Sequence, residues 1–192
     1  MKKIIFNGII LLMGINSSYA QTADFRIFSW GNPMEKIKTD EKSPFFSTLK
    51  SDELEYNDKL GGSNFKVLYI FNDNNKLISG IYIFSKKYSN PELYYQEYSV
   101  FLKLLTEKYG KATNEKETWN TTDPLYDKSN KKQGIADKNL NLYAVWYTKR
   151  TAIKITLISI GNEVPSMQIH YTATSLDELE NQIDLKDALN KL

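Results

Sequence analysis

The chain contains no cysteine. That absence excludes disulfide staples, thiolate metal sites, cysteine nucleophiles and a lipid-bearing cysteine anchor, so stability has to come from packing. Histidine is nearly as scarce: His170 is the only one in 192 residues, and any imidazole chemistry in a monomer runs through that ring. An excess of either charge is also missing, with 25 basic residues against 23 acidic ones. Such a balance lacks the positive footprint required for binding nucleic acid or an anionic membrane surface. Aromatic residues are what the chain has in quantity, 13% of the total and including 13 tyrosines. Phenol rings suit a half-buried sheet face, where the ring packs and the hydroxyl reaches water.

Long apolar runs are confined to the beginning. Met1-Lys2-Lys3 precedes an apolar stretch from Ile4 to Ile15, then Ser17-Ser18-Tyr19-Ala20 before Gln21. This charged, apolar, small order is that of a secretory signal peptide. A run of about a dozen apolar residues falls short of the ~20 needed to span a hydrocarbon core, so removal near Ala20 is expected instead of retention as an anchor. Removal takes away two lysines and no acid, which brings the chain closer to neutrality. Residues 1–20 therefore read as a signal peptide, 21–174 as a single α+β domain and 175–192 as a C-terminal helix. The expected destination is the periplasm or the medium, with no stable membrane insertion.

Periodicity supplies the elements. A short strand is predicted at Phe25 to Phe28. In Asn32-Pro33-Met34-Glu35, a cap, a proline at the first helical position and a closing carboxylate open a short helix with Met34 and Ile37 on its apolar side. From Leu54 the period changes to two. Leu54 and Tyr56 mark one strand, and Phe65 to Phe71 and Leu77 to Phe84 form a hairpin across Asn72-Asp73-Asn74-Asn75, residues that tolerate positive φ. Asn90-Pro91-Glu92 then opens the main helix, with Tyr94, Tyr98, Phe101, Leu105 and Tyr109 on one face and Gly110 past its end. A strand around Lys116 to Asn120 precedes a long polar loop, Thr121 to Lys138. Strands at Leu140 to Tyr147, Ala152 to Ile160 and Met167 to Thr172 follow, and Ser175 and Glu178 begin a thinner terminal helix. The predicted fold is α+β: an antiparallel sheet of six to seven strands in two meanders, with short, long and terminal helices. Val67 to Phe71 laid over Leu142 to Trp146 points to two copies of one helix-plus-meander unit.

Three features carry a resemblance: the Trp30-Gly31 step into a short helix, Lys108-Tyr109-Gly110-Lys111 ending a longer one, and the closing meander with Trp146. In these the chain resembles small exported bacterial proteins without assigned activity. More distantly it resembles the outer-membrane assembly lipoprotein BamE and the tandem β-lactamase inhibitory proteins. The resemblance covers roughly Phe25 to Thr172 and implies a helix-then-meander fold. It departs from BamE in lacking the lipidated cysteine, so membrane attachment does not carry over, and no partner-binding residue matches by position.

No constellation defines a catalytic centre. His170 shares a strand face with Gln168 and Thr172, and no Gly-x-Ser-x-Gly elbow supplies a nucleophile for it. Acids cluster at Asp52-Glu53-Glu55 and at Asp177-Glu178-Glu180, where adjacent exposed carboxylates lack the burial that keeps one of a hydrolytic pair protonated. Asp73-x-Asn75 and the scattered Asp123, Asp127 and Asp137 lack the glycine and closing glutamate of a calcium loop. Asn120-Thr121-Thr122 is a formal glycosylation sequon, relevant only in a eukaryotic secretory route. No catalytic, metal or cofactor residue is predicted. The candidate ligand surface is Trp30, Trp119 and Trp146, whose indoles would stack on sugar or peptide if exposed together, and His170 completes the candidate set. The expectation is an exported, non-enzymatic binding domain of the bacterial envelope acting through a sheet face or the meander loops, on an envelope protein or a saccharide. A carboxylate- or His-dependent hydrolase of envelope or nutrient polymers, or an inhibitor of an envelope enzyme, is the alternative.

Overall fold

A tight turn begins the described part of the chain, residues 23–48, 50–159 and 165–175 of a computed structural model. The predicted signal peptide and C-terminal helix lie outside those residues. Phe25 and Phe28 exchange backbone hydrogen bonds across Arg26 and Ile27. The turn replaces the predicted strand because Arg26 has φ +55°, which reverses the chain. Helix α1 (Met34–Asp40) follows with Met34 and Ile37 buried, as the pattern predicts. Its predicted capping box does not form, since the Asn32 side chain accepts instead from the Ser29 amide at 3.2 Å.

Four strands come next: β1 (Phe45–Ser47), β2 (Glu53–Leu60), β3 (Ser63–Phe71) and β4 (Leu77–Phe84). Asn75, at φ +55°, turns the hairpin between the last two. The long helix α2 (Glu92–Tyr109) ends at Gly110, whose φ of +82° is a conformation glycine adopts without a Cβ penalty. Then come β5 (Asn114–Trp119), α3 (Lys131–Ala136), β6 (Leu140–Tyr147), β7 (Thr151–Ile158) and β8 (Ser166–Ala173). Helix α3 interrupts what the sequence presents as a loop. It buries only Gly134 and Ile135, too little to create a periodic signal.

The eight strands among the described residues form one sheet in the order β1-β2-β3-β4-β8-β7-β6-β5, every neighbouring pair antiparallel. This corrects the predicted six to seven strands in two meanders. The last strands of the two runs, β4 and β8, pair with each other, Ser79 opposite Thr172 and Ile83 opposite Gln168. Strand β1 is too short to show a period of two.

Registers assign every side chain to one of two faces. On the first lie Phe65, Val67, Tyr69 and Phe71 of β3, Met167, Ile169 and Tyr171 of β8, and Ile153, Ile155 and Leu157 of β7, all buried. The turn at Phe25 and the apolar sides of α2 and α3 pack on this face. Phe101 meets Phe65 edge-to-face at 5.2 Å, and Phe25 contacts Tyr69, Tyr82 and Tyr171 at 5.1 to 5.4 Å. Phe25 comes so near the sheet because Gly80 has no side chain beneath it. Arg26, projecting from the turn, bonds Glu41 at 3.1 Å and Asp58 at 2.6 Å, and the Tyr69 hydroxyl donates to Glu41. The opposite face carries no helix among the described residues.

Candidate functional site

The tryptophans do not assemble into a surface. Trp30 is 4% exposed and its Nε1 donates to Thr151 Oγ1 at 3.0 Å; Trp146 is 1% exposed and donates to the Gly110 carbonyl at 2.9 Å. Both indoles are core groups whose single donor is satisfied internally. Trp119 is half-buried, packed over Gly134 and 5.9 Å from the Tyr126 ring. Within the described residues, then, no two indoles are exposed together.

His170 lies elsewhere, on the open face, and the strand ladders define its surroundings. One row across that face runs Leu68, Ile81, His170, Lys154 and Val145; the next runs Lys66, Ile83, Gln168, Thr156 and Tyr143. Over these rows opens a groove of about 580 Å³, within the size range of small-molecule sites. Its floor includes Ile83 and Ile158; Phe84 of β4 and Tyr94 of α2 line it from the end of the sheet, and its polar lining includes Thr156, Gln168 and His170. Lys66, Lys86, Lys87 and Lys154 stand around it.

The cations are unequally engaged. Lys66 bonds Glu55 at 2.9 Å and lies 4.5 Å from the Phe46 ring, and Lys86 lies 4.7 Å from the Tyr88 ring. Lys154 and Lys87 make no ion pair with a described residue. Burial, then the Lys154 charge, hold the His170 imidazole below its ordinary value. Its side-chain partner is Gln168 Oε1, at 2.8 Å. Glu55 shares this face, but on β2, three strands from His170, or roughly 14 Å at the usual strand spacing. Among the described residues, then, no carboxylate hydrogen-bonds the imidazole.

The acidic clusters also differ from expectation. Glu53 and Glu55 are buried, 8% and 3% exposed, where exposed acids were predicted. Both project from β2 toward the same face and are held by Lys50 at 2.8 Å and Lys66 at 2.9 Å. Asp177, Glu178 and Glu180 lie outside the described residues. Among the described residues no group of three or more His, Asp or Glu is arranged to hold a metal ion.

A second crevice, about 470 Å³, lies on the helical side among Arg26, Lys108, Lys149 and Arg150. Its arginines are committed to the protein itself: Arg26 serves Glu41 and Asp58, and Arg150 bonds Asp24 at 2.9 Å. Its lysines, Lys108 and Lys149, make no ion pair with a described residue, so what sets the open-face groove apart is its aliphatic lining of Ile83 and Ile158 and not a greater freedom of its cations.

Sequence reasoning missed Lys66, Lys154 and the Lys86-Lys87 pair. The available signal was a lysine set singly inside each of the apolar runs Phe65 to Phe71 and Ala152 to Ile158, on the parity facing away from the core. Recognising that the two belong to one groove requires the β4–β8 pairing. The chain matches no protein-family model, no curated protein and no solved structure. No helix among the described residues is long and apolar enough to cross a membrane.

Proposed function

We propose that the protein is an exported, non-enzymatic binding module of the bacterial envelope that takes its ligand on the open face of the sheet. The observation carrying this reading is the groove around His170, apolar in its floor and rimmed by four lysines, of which only Lys66 has an ion pair with a described residue. One face of the sheet is spent on the core, while the other presents half-buried Ile81, Ile83 and Ile158 among cations. Aliphatic groups so placed gain free energy when a ligand removes them from water.

Export is supported by residues 1–20, whose pattern is that of a signal peptide. A hydrolase has less support, because His170 is paired with Gln168 and lies three strands from the Glu55 carboxylate. The test is affinity capture from the native envelope fraction by the full chain, in parallel with Lys154→Glu and with Lys103→Glu on α2 as a control. Loss of the captured species with Lys154→Glu alone supports the reading. Equal capture by all three proteins refutes it.

A further inference from the structure

Resting on that reading, we infer that the groove is a site for a free single-chain amphiphile: an aliphatic tail on Ile83 and Ile158, and an oxyanion head held by Lys154 beside His170. Three observations converge on this chemistry. The cavity, about 580 Å³, has the volume of a small-molecule pocket, whereas an acidic protein partner would call for a broad charged surface. Its floor is largely hydrocarbon, which gives inorganic anions and free sugars little to bury. Its rim is cationic, and the one carboxylate on this face shown to reach a rim lysine, Glu55, is consumed by Lys66.

The register explains how both halves of such a ligand are served at once. Ile83 lies directly opposite Gln168, which lies opposite Thr156; one row along, Ile81 lies opposite His170, which lies opposite Lys154. Along the row Ile81, His170, Lys154 the surface changes from aliphatic to hydrogen-bonding to cationic, while Ile83 and Ile158 flank the polar pair Gln168 and Thr156. Lys154 is exposed and has no described ion-pair partner, so it can meet an oxyanion without breaking an internal bond. Gln168 and His170, already bonded to each other, give a further polar contact beside the head. The pattern admits a carboxylate or a phosphate head, and the apolar floor supplies chain-length selectivity.

The experiment is calorimetric titration of the full chain with hexyl, heptyl and octyl phosphate, octanoate, octanol and inorganic phosphate, each below its aggregation concentration. Octyl phosphate or octanoate is expected to bind, with affinity rising about fourfold per buried methylene. Inorganic phosphate and octanol are expected to bind at least tenfold more weakly. Lys154→Gln, on an exposed side chain, is expected to cost the anion about tenfold while leaving the thermal melt in place. Ile83→Ser is expected to flatten the chain-length series. Octanol binding as tightly as the anions, or anions binding equally to all variants, overturns the inference. So does heat that appears only when the same titration is run with anionic phosphatidylglycerol vesicles. If no amphiphile binds yet Lys154→Glu still abolishes capture from the envelope, the ligand class is wrong and the binding face stands. If capture is also unaffected, the broader reading fails as well.

Discussion

Lys154 stands directly across the β7–β8 ladder from His170, on the face of the sheet that bears no helix among the described residues. Together with burial, its charge keeps the folded-state pKa of His170 below the ordinary 6.5. The unfolded chain therefore binds more protons than the folded one between those two values, and stability must fall as pH drops through that window. The other charged groups on this part of the face are Lys154, directly opposite the ring, and the Lys66–Glu55 ion pair. Urea unfolding between pH 7.5 and 5.5 is expected to show this loss, and His170→Gln to reduce it. Identical pH slopes for the two proteins would contradict the assignment.

The Arg26 network makes a second, more acidic signature. Burial pushes the Glu41 carboxyl up, but hydrogen bonds from Tyr69 and Ser43 and the Arg26 charge outweigh it and leave the group below its ordinary 4.5. Its stabilising contribution is present above 4.5 and lost as pH falls through the lower folded value. Arg26→Met leaves the half-buried Glu41 and Asp58 without their cation and is expected to cost about 1–3 kcal/mol. Adding Glu41→Gln should recover part of that. Urea midpoints for the single and double variants decide it.

Phe25 sits against Gly80 so closely that an added Cβ would lie 2.1 Å from the ring. Gly80→Ala is expected to destabilise by about 1–3 kcal/mol through overpacking. Combined with Phe25→Leu, which makes room, the two losses should be less than additive. A thermal-melt cycle reads the coupling; strict additivity would mean that the turn is not seated on β4.

Much of this fold is legible in local pattern. The hairpin of β3 and β4, helix α2 with Gly110 past its end, and β6 are all marked by residues that bury one side and by turn residues of suitable conformation. The N-terminal turn is not legible because Phe25 and Phe28 look like strand residues, while the positive φ at Arg26 has no signal in an arginine side chain. Helix α3 escaped because it is held by its neighbours, Gly134 beneath Trp119, and not by an apolar stripe of its own. The single sheet depends on β4 pairing with β8, about ninety residues apart in the chain. For the same reason the candidate site was only partly visible. His170 was singled out as an isolated histidine, but its neighbours Ile81 and Lys154 become neighbours only through that pairing. Trp30 and Trp146, attractive as ligand platforms, turn out to carry the core.

The most direct measurement is backbone-amide NMR of the full chain titrated with octyl phosphate. Shifts concentrated at Ile83, Lys154, Thr156, Gln168 and His170 are predicted, with α2 beyond the first turn that carries Tyr94 unaffected. Shifts centred on α2 or on the crevice at Arg150, or none anywhere at saturating ligand, would contradict the account.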